Sequence, residues 1–396
     1  MNSRNLIILF FCQLISSTGQ LVVVTLGGII GSTLTDNQSI ATLPVSLMVV
    51  VTALSAIPAT ILMRKIGRKY GSSIASISAS LAILIAVYAL HTHSFYLFVI
   101  SAAMFGINTA FSQQYRYAAA ESVDQKFVGR SISLILLGAI GGAMLGPELV
   151  TRGQFLIEGI QYGGTLISIS VLFVLQSLLL ILLGPFRMKD DETTNKPTRP
   201  LVEIVKQRTF IMAMCGATVA YGSMTFIMTA TPLSMHIIDG FSIEETANVI
   251  RSHVLAMYIP SLVSGFLIER FGLNKVMACG VIGLLGASIA GLTGQTIFTY
   301  WLALVLLGIG WNFLYVGGTT MLTYTYEPNE RFKAQGINEF CVFGMSALGS
   351  LLAGTIMYLY GWYTLVLIPI PLLIMVAVGL RITNKEVKSL VILRDG

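Results

Sequence analysis

Long apolar runs are the feature that most constrains the fold of this chain. Twelve of them, each about 20 residues long, follow one another from about residue 5 to about residue 380. As an α-helix rising 1.5 Å per residue, such a run crosses the ~30 Å hydrocarbon core of a bilayer. Backbone amides in a bilayer must be bonded within the protein, and the alternating ~10-residue segments of a β-barrel do not occur in this sequence. The runs therefore predict an all-α integral membrane protein with twelve transmembrane helices.

Composition and charge agree with this prediction and exclude two other classes of protein. Apolar residues make up 55% of the 396 residues and charged residues only 11%, whereas roughly 25% are charged in a soluble domain. The net charge of +6 lies in short Lys and Arg clusters between the apolar runs, so nucleic acid is not an expected partner. The lipid bilayer is the expected surrounding of most of the chain.

The distribution of basic residues predicts how the chain is oriented. If the N-terminus is cytoplasmic and the helices alternate in direction, all but three of the 24 Lys and Arg residues fall in cytoplasmic segments. Such an excess is typical of the cytoplasmic loops of membrane proteins. We therefore expect a multi-pass protein with an even number of helices and both termini in the cytoplasm.

One long polar connection, from Pro185 to Phe210, divides the chain. From Pro200 onward it alternates apolar and charged residues, which predicts a short helix lying on the inner membrane face, with Pro200 at its first position. The predicted units are an N-terminal six-helix bundle, a cytoplasmic linker with this interfacial helix, a C-terminal six-helix bundle and a cytoplasmic tail. They cover residues 1–186, 187–208, 209–383 and 384–396.

The two halves of the chain are related to each other. Gly67 and Gly272, each in a basic loop after an apolar run, are 205 positions apart, and Asn108 and Asn312 are 204 apart. Further basic loops follow at nearly the same offset. Three matches in register predict an internal repeat, that is, two pseudo-symmetric six-helix bundles. Repeated halves around a cavity at the membrane midplane are typical of secondary transporters.

The repeated loop resembles the G-x-L-A-D-R-x-G-R-R/K motif of the major facilitator superfamily, and the resemblance extends over essentially the whole chain. The second copy, starting at Gly265, carries Glu269 at the acidic position, whereas the first copy has Arg64 there. The family uses this acid as a latch of the outward-facing state, so its loss removes the latch or moves it to the second half. The resemblance implies cytoplasmic gating loops that contain Arg64, Gly67, Arg68, Gly265, Glu269, Arg270 and Gly272.

Two further segments, QQYRYAAAE (113–121) and GWNFLYVGGTT (310–320), resemble a group of bacterial members with few assigned substrates. Some members of that neighbourhood handle vitamins such as riboflavin, or siderophores, and the sequence does not choose between these ligands. The resemblance places the protein in a bacterial inner membrane.

The fifth predicted helix carries Gly138, Gly142 and Gly146, followed by Pro147. Glycines spaced by four share one helix face and allow another helix to approach closely. The same residues resemble part of the family's antiporter motif, which is associated with export. We favour the packing interpretation, because an earlier glycine and a later glycine pair of that motif are missing.

Ionisable residues inside transmembrane helices are costly and are therefore candidates for function. Glu339, about six residues into the eleventh helix, is a candidate for proton coupling, since burial favours its neutral form. It could instead pair with a base at the membrane surface. His253 is the second candidate, because histidine titrates near neutral pH; the alternative is a packed, hydrogen-bonded side chain.

Other polar and aromatic residues are candidates for substrate binding. Mid-helix asparagines either bond a solute or join helices, and a buried arginine either binds an anionic or carbonyl-rich solute or reaches the membrane surface. Aromatic rings suit a planar solute and equally suit packing between helices. The candidates are Asn108, Gln113, Arg116, Tyr221, Arg251, Trp311, Asn312 and Tyr315.

Together these features predict a monomeric secondary active transporter that moves a small organic solute by alternating access, with proton-coupled uptake. Proton antiport efflux of drugs or metabolites is the alternative, and a receptor or assembly factor on the same fold is a minor one. The sequence has no phosphate-binding loop, zinc-protease or serine-hydrolase motif and no Cys/His metal spacing. An enzyme, a cofactor and a bound metal are therefore not predicted.

Overall fold

The computed structural model describes residues 3–122, 128–184, 199–327 and 330–395, and every regular element in these ranges is a helix. The first half forms α1 to α6, at Ser3–Leu34, Leu43–His91, Phe95–Ser112, Tyr115–Glu121, Val128–Gly153 and Gly163–Ile181. The second half forms α7 to α14, at Leu201–Val205, Arg208–Pro232, Ile243–Tyr258, Ser261–Phe271, Leu273–Leu292, Ile297–Thr323, Arg331–Leu367 and Pro369–Asp395. α8 continues as a π-helical segment, Leu233–Ile238.

The helices are long enough for the predicted membrane spans. Nine stretches within the described ranges are long and apolar enough to cross a membrane, or ten if the bent pair of α9 and α10 is one span. One of them, Lys333–Asn384, has 52 residues and breaks at Gly361. At 1.5 Å per residue it measures about 78 Å, enough for two crossings. α5, with 26 residues, is long enough for another, and the predicted all-helical membrane fold is confirmed.

The two repeated loops bend the backbone in the same way. Gly67 has φ 87° and ψ 153°, and Gly272 has φ 92° and ψ 145°. This region of φ and ψ is essentially restricted to glycine. A Cβ atom at either position would meet nothing within 4 Å, so the backbone conformation, and not lack of space, requires glycine there. The sequence repeat thus has a structural counterpart at these two turns.

The described chain separates into two compact units. The first contains Met1–Asp190, Thr229–Arg251 and Ala353–Leu359, and the second contains Asp191–Met228, Ser252–Leu352 and Tyr360–Gly396. Short parts of the second half of the chain therefore belong to the first unit. The boundaries predicted from the sequence follow the order of the helices along the chain and remain a prediction.

In the first unit the glycines of α5 face α1. A Cβ atom at Gly142 would lie 2.6 Å from Cβ of Ser17 and 2.8 Å from the backbone nitrogen of Thr18, and one at Gly138 would lie 2.7 Å from the carbonyl oxygen of Phe10. Only glycine allows the two backbones to come this close. The glycine spacing is therefore explained by packing of α5 on α1.

A ladder of serines joins α2 to α6 in the same unit. Ser73 bonds Ser177 at 2.7 Å, and Ser80 bonds Ser170 at 2.8 Å, hydroxyl to hydroxyl. Between them the hydroxyl of Ser76 donates to the carbonyl oxygen of Phe173 at 2.8 Å. Small polar side chains of this kind hold helices together in lipid, where burial of apolar surface gives no driving force.

In the second unit the end of the linker is fixed to the loop before α13. Pro200 is the N-cap of α7, one position earlier than the sequence suggests. The Arg199 guanidinium donates from Nε (2.9 Å) and Nη2 (2.6 Å) to the Glu330 carboxylate, which is only 2% exposed. These bonds hold the pKa of Glu330 down at about 2. Arg199 Nη2 and Gln207 Nε2 also both donate to the carbonyl oxygen of Thr325.

Candidate functional site

Four aromatic side chains from three helices meet in the second unit. Trp311 and Tyr315, one turn apart on α12, are nearly parallel, with centroids 5.1 Å apart and planes 14° apart. Tyr221 of α8 stands at 72° and 71° to these rings, at 5.5 and 5.3 Å. Phe343 of α13 meets Tyr221 at 5.7 Å and 66°. We call these four residues the aromatic cluster.

The four members of the aromatic cluster differ in burial. Trp311 is 6% exposed, whereas Tyr221, Tyr315 and Phe343 are half-buried. Three of the four were sequence candidates for substrate binding, and the structure brings them together. Phe343 was missed, because a phenylalanine in an apolar run gives no sign of which way it faces. An aromatic cluster with exposed ring surface is suited to a planar solute.

Asn312, next to Trp311, points to a different neighbour. It is fully buried, and its Nδ2 donates to the carbonyl oxygen of Met257 at 2.8 Å and to the hydroxyl of Ser261. Its Oδ1 accepts a hydrogen bond from the hydroxyl of Ser264 at 2.6 Å. Asn312 thus joins α12 to both α9 and α10. The structure thus gives Asn312 a role in joining helices, and its role in solute binding remains a prediction.

The partners of Asn312 lie where a membrane span is broken. α9 and α10 meet at a bend of 42°, next to Pro260, whose ring nitrogen cannot donate a backbone hydrogen bond. A break of this kind leaves carbonyl groups without backbone partners, and another helix must supply donors for them. Asn312 supplies one to Met257, so the amide stabilises the bent form of the span.

His253 lies on the same seam between α9 and α12. Its Nδ1 is 2.7 Å from the carbonyl oxygen of Leu304, and since a carbonyl only accepts, Nδ1 carries the proton. Nε2 is buried and has no hydrogen-bond partner among the described residues. Between the two polar contacts, a Cβ atom at Gly308 would lie 2.7 Å from the carbonyl oxygen of His253. Leu304, Gly308 and Asn312, spaced by four, therefore form the face of α12 that packs on α9.

Asn108, the counterpart of Asn312 in the first half, has a different environment. It lies in α3 and is fully buried, yet neither Oδ1 nor Nδ2 has a hydrogen-bond partner within the described ranges. A buried amide without partners costs about 1–3 kcal/mol. Such positions in native proteins often bind water or a ligand. Asn108 therefore remains a candidate for substrate binding.

Arg251 is compensated by an acidic residue of the first unit. Its Nη1 lies 3.9 Å from Oε1 of Glu148 at the end of α5, and Arg152 approaches the other oxygen of Glu148 at 3.0 Å. Arg152 is exposed and Glu148 is only half-buried, so the contacts contribute little to stability. The proposed solute contact of Arg251 remains a prediction.

Gln113 and Arg116 lie at a break between α3 and α4. Gln113 caps the end of α3, and Arg116 is half-buried in α4. The neighbouring Tyr115 was not a sequence candidate, but its hydroxyl accepts from Nε2 of Gln176 at 3.0 Å, and Oε1 of Gln176 accepts from Ser16 at 3.0 Å. All three side chains are buried, and they join α4 to α6 and α1. This polar chain fixes the position of the break.

The remaining candidates are Glu339 and the predicted gating residues. Glu339 is half-buried in α13. Of the predicted gating residues, Arg64 lies in α2 with its side chain outside the described part of the chain, and Arg68 lies with Nη1 4.0 Å from the sulfur of Met63. Glu269 and Arg270 are exposed, and Gly265 has open space around it. No group of three or more His, Cys, Asp or Glu residues in the described ranges could hold a metal ion.

Comparisons with known proteins agree with this architecture. The family model for the Major Facilitator Superfamily matches residues 7–250 and 213–392. The chain is similar to the riboflavin transporter RfnT of Brucella anthropi, at 35% identity over 385 residues and 96% of either chain. It is also similar to an uncharacterized MFS-type transporter, YdeG of Bacillus subtilis, at 29% identity over 89% of this chain and 85% of that one.

Among solved structures, a bacterial homolog of the human lysosomal transporter Spinster, in an inward-facing and unoccupied conformation, matches with a TM-score of 0.74. The match has 16% sequence identity and covers 98% of both chains. The predicted fold of two six-helix halves and the predicted absence of an enzymatic role are confirmed by these comparisons. The chain therefore belongs to the major facilitator superfamily and is a membrane transporter.

Proposed function

We propose that this protein transports riboflavin, or a solute with a similar planar heteroaromatic ring. The aromatic cluster carries this proposal, because it offers stacked and perpendicular rings with exposed surface to a planar solute. The similarity to a riboflavin transporter over nearly the whole chain narrows the class of solute. Transport proceeds by alternating access in a monomer.

We further propose that transport is uptake coupled to protons. His253 supports this, because its Nδ1–H is committed to Leu304 and only the buried Nε2 is left to accept a proton. Glu339, half-buried in α13, is the second candidate. Similarity to transporters of two bacteria supports a location in a bacterial inner membrane, and the distribution of Lys and Arg supports the placement of both termini in the cytoplasm.

Export by proton antiport is the alternative. Its sequence support was the glycine pattern of α5, and packing against α1 accounts for that pattern. Uptake therefore has the stronger support. In everted vesicles preloaded with acid, release of protons on addition of riboflavin would indicate export instead.

Uptake of radiolabelled riboflavin into proteoliposomes of the purified protein tests the proposed function. We expect uptake above that of protein-free liposomes, competition by unlabelled riboflavin, and no competition by a non-aromatic sugar such as maltose. Robust uptake would also exclude a receptor or assembly factor. The proposed substrate is rejected if uptake equals that of protein-free liposomes.

An imposed proton gradient tests the coupling in the same liposomes. We expect accumulation above equilibrium that a protonophore abolishes. His253→Asn keeps an amide donor for Leu304 and removes the titratable nitrogen, while Glu339→Gln removes the carboxyl charge. The variant that loses accumulation but retains exchange of internal for external riboflavin identifies the coupling residue. If both variants still accumulate riboflavin against its gradient, neither residue couples transport to protons.

A further inference from the structure

We infer that the ring of the solute stacks on the face of Tyr315 that points away from Trp311, with Trp311 behind it as a buried support and Tyr221 as a perpendicular wall. This inference rests on the proposed function and assigns different roles to residues that the sequence could only group together. It makes Tyr315 the residue that touches the solute and sets the preference for planar rings.

The order of the stack follows from burial. Trp311 and Tyr315 are parallel within 14°, with centroids 5.1 Å apart, so they act as a stack of two rings. Trp311 is 6% exposed, and its far side is closed by the protein. Tyr315 keeps exposed surface. A third planar ring can therefore extend the stack only on the Tyr315 side.

The orientation of the solute follows from Tyr221. Its ring is perpendicular within about 20° to both members of the stack, at 72° and 71°. It presents its edge or face to the side of the stack and cannot itself be a second parallel layer. Phe343 contacts Tyr221 at 5.7 Å and 66°. A bound ring then lies parallel to Tyr315 and is limited at one side by Tyr221.

The chemistry of the ligand follows from this arrangement. An electron-poor, nitrogen-containing ring system stacks well on the electron-rich phenol of tyrosine, because the quadrupoles of the two rings are complementary when they are offset. Removing a ring on which a nucleic acid base stacks weakens binding about five- to 150-fold. A fused heteroaromatic ring such as that of a flavin has a larger face than a base, so the loss should be at least about tenfold.

The fluorescence of riboflavin gives a direct test, because a stacked tyrosine or tryptophan quenches it by electron transfer. Riboflavin is titrated with purified protein in detergent. We expect saturable quenching with the wild type, at least a tenfold weaker affinity with Tyr315→Leu, and recovery of affinity with Tyr315→Phe, which restores the ring without the hydroxyl. Trp311→Leu should weaken affinity less than Tyr315→Leu, because Trp311 does not touch the solute.

Trp301 supplies a matched control on the same helix. It is 40% exposed and stacks on Phe298 at 6.1 Å and 27°, outside the aromatic cluster, so Trp301→Leu should leave affinity and quenching unchanged. Thermal unfolding of each variant shows whether it folds. Wild-type binding with equal affinity and quenching in Tyr315→Leu would overturn the stacking inference and leave the proposed function standing. Absence of binding by the wild type would overturn both.

Discussion

Asn312 is expected to stabilise the fold through the bend between α9 and α10. The perturbation that tests this is Asn312→Leu, which keeps the approximate volume of the side chain and removes its three hydrogen bonds to Met257, Ser261 and Ser264. Because Asn312 is fully buried, water cannot replace the lost partners. The variant should fold, but with a lower free energy of unfolding.

The size of the effect can be worked from the contacts. Hydrogen bonds between transmembrane helices contribute about 0.6 kcal/mol on average and up to about 1.7, so three bonds give roughly 2–5 kcal/mol. Two of the partners have other bonds to use: Ser264 can donate its one hydroxyl proton instead to the carbonyl oxygen of Pro260, 2.7 Å away, and Ser261 can donate to that of Met257 at 3.4 Å. We therefore expect a loss of about 1–3 kcal/mol.

Equilibrium unfolding in mixed detergent micelles measures this loss, and a double-mutant cycle with Ser264→Ala isolates one of the bonds. The coupling energy between Asn312 and Ser264 should be about 0.5–1.5 kcal/mol. A loss below about 0.5 kcal/mol, with a coupling energy of zero within error, would refute the reasoning. A solute-binding Asn312 would instead raise KM at unchanged stability.

Three further predictions concern the linker, α5 and the repeated turn. The Arg199 guanidinium lowers the pKa of Glu330 from 4.5 to about 2, so the ion pair stabilises the fold above pH 4.5 and this stabilisation is lost as the pH falls towards 2. The Glu330→Gln variant should therefore be about 1–3 kcal/mol less stable than the wild type at neutral pH. Equal acid-unfolding curves for the two proteins would contradict this. Gly142→Val should lower the free energy of unfolding in detergent by about 1–3 kcal/mol, because the larger side chain overpacks against α1. A variant as stable as the wild type would refute close packing at this position. Gly272→Ala should lower the free energy of unfolding by a similar amount, because the φ of 92° at this position strains an alanine. Gly265, which has open space around it, supplies the control variant Gly265→Ala for both glycine substitutions. Equal losses at positions 265 and 272 would argue against strain.

The sequence correctly predicted those features that each segment determines by itself. Crossing a bilayer requires about 20 apolar residues in helical form, so the all-helical membrane fold can be read from the chain. The turn at Gly272 was also predictable, because its conformation depends on the local backbone and repeats at Gly67. The aromatic set on α12 could be proposed, since Trp311 and Tyr315 are one turn apart.

Only the tertiary structure separated residues that the sequence presents as equivalent. Asn108 and Asn312 occupy matching positions, yet the first is buried without a partner among the described residues and the second bonds three groups. Nothing in the sequence indicated the contacts that Phe343 and Gln176 make. Hydropathy and spacing are properties of one segment, whereas the satisfaction of a buried polar group depends on how the neighbouring helices are rotated and where their backbones break. In lipid no water compensates for a missing partner, so that rotation decides which polar residues join helices and which are left without a partner.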